Sequence, residues 1–238
     1  MEIEYLLFVL LGFFASIVSS VFGFGSALIV LAIGPYLLPV KQTIALATVL
    51  FVASTATKTA LFRNHMDWKV VGTMAVASLP FSYFGASLVV ELPADLLKRL
   101  LGGMILVYLL LSVFKRFPKF RIGTSGLLVG SAAYGFVSGL LGSGNLIKAI
   151  MFREMNITRE VFVGVMAATS VLSNVAKLVA YTRAELLHAG LAWPMLGLVC
   201  GAVIVAIVGR RLLGKLNASQ FEKSFQLVLA VSATGLLI

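Results

Sequence analysis

Long apolar stretches separated by short polar ones make up almost the whole chain. A helix needs about 20 mostly apolar residues to cross a bilayer. Six uninterrupted stretches have about that length, 42–62, 70–90, 96–114, 159–182, 190–210 and 219–238. Two more, 3–33 and 123–152, are broken by glycine, as Phe22-Gly23-Phe24-Gly25-Ser26 and Leu141-Gly142-Ser143-Gly144-Asn145. Glycine inside an apolar run predicts a helix that stops partway across. Such a break exposes backbone N–H and C=O groups that cost several kcal/mol each in hydrocarbon unless they are satisfied. A matched pair of breaks, one in each half, is the best sequence pointer to the substrate site of a secondary carrier. Pro93 and Pro118 fall at boundaries, where proline is tolerated, whereas Pro80 falls inside a span and predicts a kink.

The two halves are related. A shift of 119 residues places Ser19, Gly23 and Gly25 on Ser138, Gly142 and Gly144, and Ser54, Lys58 and Phe62 on Ser173, Lys177 and Tyr181. No gap is needed from the break to the end of the following helix. A constant register joining glycines, serines and a rare intramembrane lysine reads as internal duplication, with repeat 1 at 1–119 and repeat 2 at 120–238. The connections are short and none is Ser/Pro-rich, so the expectation is one polytopic domain over 1–238.

Charge distinguishes two topologies. If each broken segment crosses once, the repeats are parallel and the basic residues divide almost evenly. If each enters and returns as a re-entrant hairpin, each half has three crossings and the repeats are inverted. One side then carries Arg63, Lys69, Lys115, Arg116, Lys119, Arg121, Lys148, Arg153, Arg159, Arg210, Arg211, Lys215 and Lys223. The other carries Lys41, Lys98, Arg99 and Arg183, thirteen against four. The positive-inside rule favours this arrangement and puts both termini outside. The expected fold is therefore an all-α integral membrane protein of two inverted-topology repeats. Each is a glycine-broken helix or re-entrant hairpin followed by three transmembrane helices.

Composition agrees. Hydrophobic residues are 60% of the chain and charged ones 12%, against about 45–50% and about 25% in soluble domains. The formal net charge of +10 does not point to nucleic acid, because the basic residues stand at segment ends. The first run opens on Glu2 and Glu4 and is too long for a signal peptide, so it is expected to stay in the mature protein. Cys200 is alone and reads as a packing residue. His65 and His188 stand in short loops without partners at ligand spacing, so no metal is expected. Neither a nucleotide-binding nor a nucleophilic motif is present, so no cofactor and no catalysis are expected.

The candidate site residues follow from the breaks and the helix after each. The half-helix beginning at each break offers free N–H groups and the positive end of its dipole, which attract anions. Gly23, Gly25, Gly142 and Gly144 would let backbone approach a ligand, with Ser26, Ser143 and Asn145 as caps or donors. Ser54 and Lys58 in the first half, and Thr169, Ser173, Asn174 and Lys177 in the second, lie on matching helix faces. An intramembrane lysine either lines a polar path or snorkels to the headgroups. Snorkelling is the stronger alternative for Lys58, and Lys177 is the more suggestive of the two. Lys148 either complements an anion or snorkels beside Arg153, and its first-repeat equivalent is Ile29.

These residues carry a resemblance. Gly23-Phe24-Gly25 with Pro35, and Gly139-Leu140-Leu141-Gly142-Ser143-Gly144 followed by Ala167-Ala168-Thr169-Ser170, resemble the TauE/SafE sulfite exporter family over nearly the whole chain. The resemblance implies an inner-membrane, multi-pass carrier for small sulfur-containing anions such as sulfite, thiosulfate or organosulfonates, with export the commoner direction. Ser26 and Asn145 stand where such proteins often have another glycine, and Lys148 stands among apolar positions. The partners so implied are the anion and the lipid bilayer, and a homo-oligomer is compatible with them. The alternative is a membrane-embedded partner or anion channel that supplies sulfur compounds to a cytoplasmic enzyme through the basic 115–121 loop.

Overall fold

A computed structural model describes residues 2–22, 26–113, 123–153, 159–212 and 233–237. Among them the regular structure is helical: α1 (Glu2–Phe22), α2 (Ser26–Ile33), α3 (Val40–Phe62), α4 (Trp68–Glu91), α5 (Ala94–Val113), α6 (Thr124–Leu141), α7 (Asn145–Arg153), α8 (Arg159–Arg183) and α9 (Ala192–Leu212). Six of these, α1, α3, α4, α6, α8 and α9, are long and apolar enough to cross a membrane. The helix ends have local causes. Pro39 precedes α3, and the Asp67 carboxylate accepts from Lys69 N at 3.0 Å and Val70 N at 3.1 Å to cap α4. Helix α4 continues through Pro80. The expected span 219–238 lies outside the described residues except for its last turn, which packs on Gly102 of α5.

Helix α2 packs on α1, with Gly34 beyond α2 against Phe8 of α1. After α6 the chain reverses at Gly142, and Met151 of α7 packs on Gly130 of α6. The second break is thus the tip of a helical hairpin, with α6 as the long arm and α7 as the short one. Gly142 closes α6 in the left-handed conformation, φ 81°, which glycine adopts without the steric cost a Cβ brings.

The main helix pairings are the same when the repeats are exchanged. Helix α1 packs on α9 and α6 on α4; α3 packs on α9 and α8 on α4; α3 and α8 pack on each other. Each repeat therefore closes its broken segment against a helix of the other. Helices α3 and α8 are the central pair, with 56% and 67% of their apolar windows buried against 33–39% for the other four. Small residues make the closest contacts. A Cβ on Gly135 or Gly139 would stand 2.3 Å from the carbonyl oxygen of Ser78 or Ser82, and one on Gly85 would stand 2.4 Å from that of Phe136. The α4 and α6 backbones touch along this stripe, as small residues four apart allow inside a membrane.

Candidate functional site

A small cavity lies between the central pair, residues of α1 and α2, and the second break. Ser19 (α1), Ser26 and Ala27 (α2), and Phe51, Ser54, Thr55 and Lys58 (α3) line it from the first repeat. Tyr134 and Ser138 (α6), Gly142, Ser143, Asn145, and Val163, Met166, Ala167, Ser170 and Asn174 (α8) line it from the second. Its volume, swept by the centre of a water-sized sphere, is about 60 Å³. One water needs roughly 10–15 Å³ on that measure, so the space suits a few waters or one compact ion. Hydroxyls dominate the polar wall, and among the described lining residues Lys58 is the one charged side chain and none is Asp or Glu.

Equivalent residues make equivalent bonds. Lys58 Nζ donates to Ser19 Oγ at 2.8 Å, and Lys177 Nζ donates to Ser138 Oγ at 3.2 Å. Asn174 Nδ2 donates to Thr55 Oγ1 at 3.5 Å. Those two residues are 119 apart, the repeat shift itself, so equivalent positions meet at the centre of the molecule. Ser173 donates to Ser138 at 3.4 Å and shares a 2.6 Å hydrogen bond with Ser82.

The second repeat adds two ammonium groups behind the wall. Lys177, 1% exposed, also donates to the Gly142 carbonyl at 2.8 Å. It thereby satisfies a carbonyl freed by the break and sets a cation at the negative end of α6. Lys148, 0% exposed, donates to Met166 O at 2.9 Å, Thr169 Oγ1 at 3.3 Å and Ser170 Oγ. Its Nζ also lies 4.4 Å from the centre of the Tyr134 ring, within cation–π range. The Tyr134 hydroxyl stands among Ser138, Ser170 and Ser173. At the start of α7, Gly144 O accepts from Ile147 N and Lys148 N, and Ser143 Oγ accepts from Asn145 N at 3.4 Å.

The family model for the sulfite exporter TauE/SafE matches residues 8–236. The chain belongs to the TauE/SafE family. It is a multi-pass membrane protein. It is also similar to a "probable membrane transporter protein" of Methanocaldococcus jannaschii, 27% identical over 213 residues that cover 80% of each chain. No solved structure matches it.

Against this family background, the residues singled out from the sequence divide into three groups. Ser26, Ser54, Lys58, Gly142, Ser143, Asn145 and Asn174 line the cavity. Gly144, Lys148, Thr169, Ser173 and Lys177 stand behind it, bonded to or packed on residues that do. Gly23 and Gly25 lie outside the described residues. The geometry reverses the expected order of the lysines, since Lys58 lines the cavity and Lys177 holds the break. Snorkelling is excluded for Lys148 and Lys177, whose amines bond inside the protein. Gly144 is needed for a different reason from ligand approach, because its Cβ would stand 2.7 Å from the Tyr134 carbonyl oxygen. Tyr134 and Ser170 had no assigned role in the sequence, although Ser170 shares a helix face with Ser173, Asn174 and Lys177.

Proposed function

We propose that this protein is a secondary transporter for small sulfur-containing anions, working by alternating access around the two glycine breaks, and that it exports its substrate. The observation that carries the reading is the chemistry of the cavity. It is lined by hydroxyls, the amides of Asn145 and Asn174 and the Lys58 ammonium, and backed by Lys148 and Lys177, with no carboxylate among the described lining residues. Such a wall attracts anions and repels cations. Its volume fits a sulfite- or thiosulfate-sized ion better than a long sulfonate. The exchange-symmetric packing supports two repeats moving against each other, and the bias of basic residues, twelve to four once the buried Lys148 is left out, supports inverted repeats with both termini outside. An inside-negative potential expels anions at about 2.3 kcal/mol per charge per 100 mV, so export needs no further driving ion. The site offers anion binding rather than catalytic groups.

Proteoliposomes loaded with labelled sulfite, thiosulfate or a sulfonate test the proposal. A carrier gives saturable efflux and counter-exchange with the same anion outside. Non-saturating current would make the protein a channel, and no movement of any of the three would remove the transport reading.

A further inference from the structure

Lys148 has no counterpart in the first repeat. In the 119-residue register Lys58 matches Lys177, but Lys148 matches Ile29. Its surroundings differ in the same way: Tyr134, Thr169 and Ser170 match Ala15, Leu50 and Phe51. In the first repeat all four positions are buried and apolar. The second repeat puts an ammonium there, with Met166 O, Thr169 Oγ1 and Ser170 Oγ accepting from it and the Tyr134 ring against it. Three acceptors match the three N–H donors of a protonated lysine.

Among the described residues no carboxylate is a partner of this ammonium. The first repeat closes the same place with isoleucine, which shows that the fold does not require the charge. The ammonium reaches the cavity through Ser170, Met166 and Tyr134, all of which line it. Its effect on a bound ion is therefore one of potential and not of contact.

We infer that Lys148 is a specificity-determining residue, whose charge behind Ser170 makes the cavity select doubly charged oxyanions over singly charged ones of the same size. This rests on the anion-site reading above. Coulomb energy is proportional to the charge of the ion. Removing the ammonium therefore weakens a dianion by the square of the factor by which it weakens a monoanion, and the selectivity narrows.

Sulfate and methanesulfonate are tetrahedral ions of similar size that differ by one charge. Titration calorimetry of the purified full chain measures both. Wild type should bind sulfate at least tenfold tighter. Lys148→Gln keeps hydrogen-bond donors and loses the charge. It should weaken sulfate about tenfold and methanesulfonate about threefold. Lys148→Ile, which installs the first-repeat residue, should do the same if it folds, and the glutamine variant decides the matter if it does not. Ser170→Ala keeps the charge, so it should change both affinities by one common factor. Equal weakening of both ions in Lys148→Gln, or no preference for sulfate in wild type, overturns the inference and leaves the anion site standing. Failure of wild type to bind either ion overturns the anion site and the inference with it.

Discussion

Replacing Lys177 by methionine keeps the buried stem and removes three donors. In the wild type the ammonium donates to Gly142 O at 2.8 Å and Ser138 Oγ at 3.2 Å. Ser138 keeps Ser173 as a partner in the variant. The Gly142 carbonyl loses its bond to Lys177, and an unsatisfied buried acceptor costs about 1–3 kcal/mol. The cation at the end of α6 contributes a further ~0.3–1 kcal/mol. Relief from burying a charge opposes both, and hydrogen bonds inside membranes average only about 0.6 kcal/mol. The net expectation is a loss of about 2 kcal/mol. For a chain of this size that lowers the melting temperature by roughly 4–8 °C. Lys58→Met removes one bond, to Ser19, so it should lower the melting temperature less. On the binding side the order reverses. Lys58 lines the cavity, and its loss should raise the apparent anion constant about tenfold, or 1.4 kcal/mol. The measurements are thermal melts in detergent and anion titration on the same samples. A Lys177→Met protein that melts within about 1 °C of wild type would show that this ammonium does not hold the break.

Three other outcomes are expected. Gly139→Ala drives a Cβ to 2.3 Å from Ser82 O and should destabilise by about 1–3 kcal/mol. Gly72→Ala meets nothing within 4 Å and should be neutral or stabilising by up to about 1 kcal/mol, so thermal melts that order the pair the other way would contradict the α4–α6 packing. Gly144→Ala meets the Tyr134 carbonyl at 2.7 Å, and should lower both the melting temperature and proteoliposome efflux; normal values for both would show that α7 does not start against α6 as described. Cysteines at Glu4 and Phe120 in a Cys200→Ala background should label from opposite sides of intact cells, and equal labelling from outside would remove the inverted arrangement.

The sequence by itself determined where the described helices fall. Expected spans 70–90 and 159–182 became Trp68–Glu91 and Arg159–Arg183, because a bilayer imposes a length and composition that can be counted along the chain. The second break was legible because glycine is the residue that permits the left-handed turn at Gly142. The Lys58–Ser19 and Lys177–Ser138 bonds were implicit in the 119-residue register, since duplicated segments keep duplicated contacts. Only the tertiary structure decided which of those residues face the cavity. That depends on the rotation of α3, α6 and α8 about their axes, and for α6 the backbone contacts of Gly135 and Gly139 with α4, a helix far away in sequence, fix it. The setting of Lys148 was hidden for the same reason. Its acceptors lie 18 to 22 residues away on α8, and the ring against it belongs to α6. One helix presents a lysine as a lone polar position, and only the packing of three helices gives a buried cation its acceptors and its place behind the wall.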